Sequence, residues 1–141
     1  MGINLDRDAF RVNSDLIAIH LPVQSMSEVV THLAGLLVAH GYVKPSYTAA
    51  VLEREATCPT GLPTRGVGTA IPHAGLEHTL KPGIAVGTLG KPVKFGQLGD
   101  PTVLLDVSVV FMLSVTQPEA QIYLLQSLVQ IYGDESLLRR L

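Results

Sequence analysis

The sequence predicts an α/β fold in which helices flank a mixed β-sheet, as a single-domain sandwich over residues 1–141. Three features support this prediction. The chain has 141 residues, of which 47% are hydrophobic, so it can bury one core but has no room for a second domain. Segments with helix-capping signals lie toward both ends, and short apolar runs of strand type separate them. Helices packed on a sheet bury both kinds of apolar surface.

The first predicted elements are a strand and a helix. Leu16–Ile19 is a short apolar run that suits a buried strand. Ser25 and Glu28 then have the spacing of a capping box, and apolar residues follow at helical spacing. Gly41 should end this helix, because glycine readily adopts the left-handed conformation that follows helix C-termini.

A second helix and several short strands are predicted next. Ser46 can cap a helix from Tyr47 to about Glu55, and Pro59 should prevent its continuation. From there to Gly99, short runs of strand type alternate with turns: Val67–Ile71, Ile84–Leu89 and Val93–Phe95.

The last third of the chain predicts one long strand and two helices. Val103–Val115 is rich in β-branched residues, which favours a strand buried on both faces. Thr116 and Glu119 form a second capping box, and the helix that it predicts should end at Gly133. Residues 134–141 begin a further helix.

The composition excludes several classes of function. With 10 basic residues, 12 acidic residues and a net charge of -2, the chain has no basic field to hold nucleic acid. Its longest apolar stretch, Val103–Val115, is shorter than the roughly 20 residues that a membrane-spanning helix needs. Cys58 is the only cysteine, and the first ten residues lack the apolar core of a secretory signal. We therefore expect a cytoplasmic protein without an intrachain disulfide.

The segment Gly66–Ala74 is the best candidate for chemistry. A short strand leads into Pro72 and His73, and Pro72 forces the chain out of the strand, so the histidine is held at a rigid edge. Ala74 and Gly75 leave space beside it. A neutral imidazole whose one ring nitrogen is protonated and held by an acceptor has a nucleophilic lone pair on the other. The alternative is a structural histidine bonded to nearby carbonyls.

Other groups of residues give little support for a metal, nucleotide or thiol site. His73 and His78 are five positions apart, which matches no common zinc spacing, and the glycines form no nucleotide-binding motif. Cys58 with His73 could suggest a thiol hydrolase, but Pro59 follows the cysteine and no signature of such enzymes is present. We predict no metal and no cofactor.

Several motifs together resemble a known family. Thr69–Ala74 is similar to the pattern apolar-Ala-apolar-Pro-His-small of the enzyme IIA domains of the bacterial sugar phosphotransferase system, fructose/mannitol superfamily, although Thr69 replaces the first apolar residue. Arg54 and Glu55 stand where this family has an Arg-Glu pair. The resemblance covers nearly the whole chain, and three segments resemble the galactitol-type branch in type and spacing: Cys58–Leu62, Lys81–Ala85 and Pro92–Gly96.

The resemblance implies a phosphocarrier. His73 would accept a phosphoryl group from phosphohistidine on the carrier protein HPr and pass it to a cysteine of a galactitol-type IIB subunit, which serves a membrane subunit, IIC. Two other functions remain open: a regulatory module whose histidine phosphorylation controls a partner protein, and a structural domain that is never phosphorylated. In this system the membrane subunit recognises the sugar, so these residues do not identify it.

Two further residues are candidates for the site. Arg54 could be a bidentate charge partner for the phosphoryl oxygens. Mannitol-type members carry a second active-site histidine where this chain has Gln121. The galactitol branch shares this glutamine, whose side-chain amide can donate a hydrogen bond but carries no charge. Alternatively, Arg54 is a surface residue paired with Glu55 or a carbonyl, and Gln121 is a solvated first-turn residue. Arg65 is a weaker cation candidate.

The residues that follow His73 predict how partners dock. Ala74, Gly75 and Leu76 are small or apolar, and no long charged side chain follows until Glu77. We therefore expect a shallow, largely apolar face around His73 that receives donor and acceptor in turn. If Leu76 instead packs into the core, this expectation fails.

Overall fold

The computed structural model describes residues 13–63 and 67–119. Its elements follow the chain as two helices, five strands and two short 3-10 turns. Their bounds are a 3-10 turn at Ser14–Leu16, β1 Ile17–Leu21, α1 Met26–Ala39, α2 Tyr47–Thr57, β2 Gly61–Leu62, β3 Thr69–Ala70, a 3-10 turn at Leu76–His78, β4 Gly83–Gln97 and β5 Asp100–Ser114.

The five strands form one mixed sheet, which confirms the predicted fold class. β4 and β5 are long antiparallel partners, β1 runs parallel to β4, and β3 runs parallel to β5. β2 is antiparallel to β3 and also meets the end of β4, where Gly61 pairs with Gln97. The short strands β2 and β3 thereby connect the two long ones, and β3 leads directly toward His73.

The β4–β5 hairpin differs from the prediction in two ways. The runs Ile84–Leu89 and Val93–Phe95 belong to one strand, whose register shifts between Thr88 and Val93. The predicted strand Val103–Val115 begins earlier, at Asp100, and its first half is exposed rather than buried on both faces. The reason is packing, since the residues of β5 that join the two buried apolar clusters begin at Val107.

Helix α1 forms as its capping signals predict. The Ser25 hydroxyl accepts a hydrogen bond from the Glu28 amide at 3.2 Å, and the helix ends at Ala39, two residues before Gly41 with its φ of +76°. One face of the helix is fully buried, and Leu33 on that face packs over Gly87 of β4, where an added Cβ would come within 3.1 Å of it. The small residue lets helix and sheet approach closely.

Helix α2 begins where predicted but is not capped as predicted. Ser46 occupies the N-cap position, yet its hydroxyl makes no capping bond and instead lies 2.8 Å from Nδ1 of His78. The distant residue His78 thus replaces the backbone of α2 as the partner of this hydroxyl. The helix is anchored by Tyr47, which is fully buried and donates its hydroxyl hydrogen to the Leu113 carbonyl of β5. α2 is thus tied to the strand beside which His73 lies.

Several predicted features lie at or beyond the edge of the described residues. Pro118 and Glu119 are helical, in agreement with the capping box at Thr116. The rest of that helix, Gln121, the predicted helix in 134–141 and also Arg65 are outside residues 13–63 and 67–119. Within those ranges no helix has the length and apolarity needed to cross a membrane.

Candidate active site

His73 lies directly beyond β3 and beside β5. Thr69 and Ala70 pair in parallel with Val109 and Val110, and His73 resumes the same register by pairing with Leu113. Between them the Leu113 amide donates to the Pro72 carbonyl at 3.2 Å. Pro72 takes part in this strand pairing through its carbonyl, so its missing N–H does not interrupt the pairing with β5. The backbone at His73 is therefore held by a neighbouring strand, as the Pro-His motif predicts.

One hydrogen bond determines the chemical state of the imidazole. Nδ1 of His73 lies 2.9 Å from the carbonyl oxygen of Ile71. A carbonyl can only accept, so Nδ1 carries the hydrogen and Nε2 carries the lone pair. The residue is 7% exposed, so little of it is open to solvent. This arrangement has the held proton and available lone pair that a nucleophilic histidine needs.

The surroundings keep the imidazole neutral. Burial lowers the pKa of His73 from its ordinary value of 6.5, and the positive charge of Arg54 lowers it as well. The hydrogen bond to the Ile71 carbonyl acts in the opposite direction without overcoming burial. At neutral pH the ring is therefore uncharged, and its lone pair is not blocked by a proton.

Arg54 and His73 come together although they are far apart in sequence. Arg54 lies in the last turn of α2, is exposed, and is close enough for its charge to act on the imidazole. Within the described part of the chain its guanidinium has no hydrogen-bond or ion-pair partner. The expected alternative, pairing with Glu55, does not occur, because that carboxylate is buried against Thr60.

A cleft of about 330 Å³ opens beside the histidine. Helix α2 forms one wall and the segment after His73 forms the other; the lining residues are Ala50, Glu53, Arg54, Thr57, Cys58, Ala74, Gly75, Glu77 and His78. Five of these nine residues are charged or polar, so the cleft is not the largely apolar surface that the sequence predicts around His73. Glu53 and Arg54 come from α2, which the local sequence around His73 does not reveal, whereas Glu77 and His78 follow the histidine in the chain.

Leu76 does not line this cleft. It is half-buried and packs on a small apolar cluster under the sheet, formed by Ile71, Val86, Val109, Phe111, Leu113 and Val115. Its backbone carbonyl accepts the Thr79 hydroxyl at 2.8 Å, which fixes the turn that follows His73. The cleft wall is therefore a supported structure rather than a loose apolar loop.

At the site, sequence analysis named Glu55 only as the neighbour of Arg54 and missed its buried contact with Thr60 behind the histidine. Glu55 and Thr60 are 4% and 2% exposed, and both amide and hydroxyl of Thr60 donate to the Glu55 carboxylate. Burial raises the pKa of Glu55, while the bonds from Thr60 and the charge of Arg54 oppose the rise. A signal existed, because Tyr47, Val51 and Glu55 follow at four-residue intervals and so share the buried face of α2.

Neither a metal site nor a thiol site is assembled from these residues. Within residues 13–63 and 67–119, no group of three or more His, Cys, Asp and Glu side chains could hold a metal ion. Cys58 is exposed on the cleft wall, and it caps α2 by donating its amide hydrogen to the Arg54 carbonyl. His73 and Arg54 therefore remain the candidate residues of this site.

Comparison with known proteins shows what this chain is similar to. Residues 11–141 match the family model described as "Phosphoenolpyruvate-dependent sugar phosphotransferase system, EIIA 2". The galactitol-specific EIIA component of Escherichia coli (strain K12) is 34% identical over 102 residues, which cover 72% of this chain and 67% of that protein. The mannitol-specific EIICBA component of the same strain is 28% identical over 135 residues, or 94% of this chain. The chain spans only 20% of the length of that larger relative.

The fold is shared with a solved complex. A chain in the structure of enzyme IIAMtl with phosphorylated enzyme IIBMtl from Escherichia coli superimposes with a TM-score of 0.74 at 26% identity. The superposition covers 93% of this chain and 88% of that one. The mixed sheet and its helices are therefore those of a known architecture.

Proposed function

The chain belongs to the EIIA type 2 family of the phosphoenolpyruvate-dependent sugar phosphotransferase system, a phosphotransferase component that carries a phosphoryl group, and we propose that it carries this group on Nε2 of His73. The donor is phosphohistidine on HPr, and the acceptor is a cysteine of a galactitol-type IIB subunit that serves the membrane subunit IIC. The protein works in the cytoplasm. The observation that carries this proposal is the Nδ1–H bond from His73 to the Ile71 carbonyl.

Neither half-reaction of the phosphoryl transfer requires a separate base. The Nε2 lone pair attacks phosphorus, the P–N bond of the donor phosphohistidine breaks, and its electron pair returns to the donor ring nitrogen. The phosphorylated ring of His73 then carries a positive charge, which the Ile71 carbonyl stabilises through Nδ1–H at 2.9 Å. In the second half-reaction a thiolate attacks phosphorus, and Nε2 recovers its lone pair.

Arg54 is proposed as the charge partner. Phosphoryl transfer spreads negative charge over three equatorial oxygens, and a guanidinium can bind two of them at once. Arg54 lies near His73 and has no other partner among the described residues, so its donors are available to an arriving phosphoryl group. Gln121, which lies outside those residues, is proposed as a weaker, neutral donor.

The proposed galactitol-type partner rests on sequence similarity. The 34% identity to a galactitol EIIA component, together with the segments Cys58–Leu62 and Pro92–Gly96, supports a IIB subunit of that branch. The solved complex of a mannitol IIA with its phosphorylated IIB supports the order of transfer, because it pairs the same fold with such an acceptor.

Reconstitution tests this proposal directly. We expect the purified protein to gain radiolabel from phosphoenolpyruvate only when enzyme I and HPr are both present. The label should then pass to a galactitol-type IIB subunit faster than to a mannitol-type IIB subunit. Failure to accept label from phospho-HPr would refute the carrier function. Acceptance without donation to either IIB subunit would instead favour a regulatory module.

The proposal also predicts a pH dependence. The folded pKa of His73 lies below the ordinary value of 6.5, so the ring should remain neutral and reactive as the pH falls through 6.5. An NMR titration of the His73 ring protons should give a midpoint below that value. The unfolded chain binds this proton more readily, so the contribution of His73 to stability is complete above pH 6.5 and decreases as the pH falls through the folded pKa. A midpoint above 6.5 would contradict both statements.

A further inference from the structure

Ile71, whose carbonyl binds the His73 imidazole, is itself anchored by a buried hydrogen bond. Ile71 accepts the His73 Nδ1–H bond through its carbonyl, and its own amide donates to the Thr60 hydroxyl oxygen at 3.2 Å. Both Ile71 and Thr60 are at most 3% exposed, so water does not compete for these bonds. Ile71 is therefore fixed on both sides, by Thr60 at its nitrogen and by His73 at its oxygen.

Glu55 determines how Thr60 can bind. The Thr60 hydroxyl lies 3.0 and 3.2 Å from the two oxygens of the Glu55 carboxylate, and the Thr60 amide donates to one of them at 2.9 Å. A carboxylate only accepts, so the hydroxyl hydrogen points toward Glu55 and the oxygen lone pairs remain for Ile71. The Thr60 hydroxyl therefore donates to Glu55 and accepts from the Ile71 amide.

The covalent chain between Ile71 and His73 is short and stiff. Only Pro72 separates them, and its ring fixes the backbone φ while its carbonyl accepts the Leu113 amide at 3.2 Å. A displacement of Ile71 would therefore carry its carbonyl away from Nδ1. Without that acceptor a histidine ring in water favours the Nε2–H tautomer, in which the nitrogen proposed to attack phosphorus is blocked by its own hydrogen.

We infer that Thr60, oriented by Glu55, is a positioning residue for phosphoryl transfer: it anchors Ile71 and thereby maintains the Nδ1–H tautomer of His73. The inference rests on the proposed role of His73 as phosphoryl acceptor. Neither residue touches the phosphoryl group in this scheme. The adjacent residues Arg54 and Glu55 of α2 thus have different roles, because Arg54 lines the cleft and Glu55 binds Thr60.

Three variants test the anchor. Thr60→Val keeps the shape of the side chain but removes the hydroxyl, whereas Thr60→Ser keeps the hydroxyl. Thr79→Val is the matched control, because Thr79 is also buried and its hydroxyl donates to two carbonyls, those of Leu76 and Val115, but bonds neither Ile71 nor His73. For each variant, ring ¹⁵N chemical shifts report the His73 tautomer, and single-turnover labelling from phospho-HPr reports the transfer rate.

We expect Thr60→Val to increase the Nε2–H population and to slow acceptance by about tenfold or more, as small displacements of reacting groups do. Thr60→Ser should restore both readouts, and Thr79→Val should leave the tautomer unchanged even if its melting temperature falls. If Thr60→Val retains the wild-type tautomer and rate, the inference is overturned.

Two further results separate the possible failures. If Thr60→Val does not fold, Glu55→Met decides. Methionine is similar in length to glutamate but lacks the oxygens that accept hydrogen bonds from Thr60, so wild-type ring shifts and rate in that variant would overturn the inference. The ring shifts are measured without any phosphoryl donor. A tautomer that responds to Thr60 in a protein that never accepts label would therefore refute the proposed function while leaving the anchor established.

Discussion

Replacing His73 with alanine should abolish phosphorylation of this protein. The expected effect is complete, because within the proposed site only this side chain combines a protonated Nδ1 on a carbonyl with an available Nε2. In wild-type protein the labelled product should be labile in acid and stable in base, as phosphoramidates are. The measurement is radiolabel incorporated from phospho-HPr, followed by mapping of the modified residue.

Two controls make this result specific. His73→Gln preserves a polar side chain of similar size but has no nucleophilic nitrogen, so it should also remain unlabelled while melting close to the wild type. His32→Ala removes an exposed histidine of α1 and should be labelled normally. Labelling retained in His73→Ala would show that another residue is the acceptor.

Replacing Arg54 with alanine should slow transfer by about 10²-fold or more, the typical loss when a preorganised charge partner of a transition state is removed. Arg54→Lys should recover part of the rate, because lysine restores the charge but not the two parallel donors. Removal of the charge should also raise the pKa of His73, since Arg54 lowers it in the wild type. Single-turnover rates and the NMR titration midpoint measure the two effects.

Gln121→Ala serves as the comparison for Arg54→Ala. A neutral amide forms weaker hydrogen bonds to an anion than a guanidinium does, so this variant should lose clearly less rate. The order of the two losses decides the assignment. If Gln121→Ala is slower than Arg54→Ala, then Arg54 is not the dominant electrostatic partner. If the NMR titration midpoint of His73 is unchanged in Arg54→Ala, the guanidinium does not act on the imidazole.

Local features of the sequence predicted several elements correctly. The capping box at Ser25 and the glycine at position 41 mark the start and end of α1, because both act on backbone groups within one turn. Pro72 similarly places His73 just beyond a strand, because its effect on the backbone is covalent. These outcomes depend on residues that are neighbours in the chain.

Predictions that depended on distant neighbours were less reliable. The hydroxyl of Ser46 bonds His78 rather than the helix backbone, and only the second half of β5, from Val107 on, joins the buried apolar clusters. The cleft beside His73 receives Glu53 and Arg54 because α2 packs there across the fold. Each result depends on which surfaces meet, and a one-dimensional pattern does not contain that information.

The sequence by itself therefore determined the α/β class, the ends of α1 and the identity of the candidate nucleophile. Only the tertiary structure decided the state of that nucleophile. Its tautomer depends on the Ile71 carbonyl, and its low pKa depends on burial and on Arg54. Thr60 reaches Ile71 from eleven positions away. Hydrogen-bond direction and dielectric environment arise from atoms that folding brings together, so they are properties of the packed molecule.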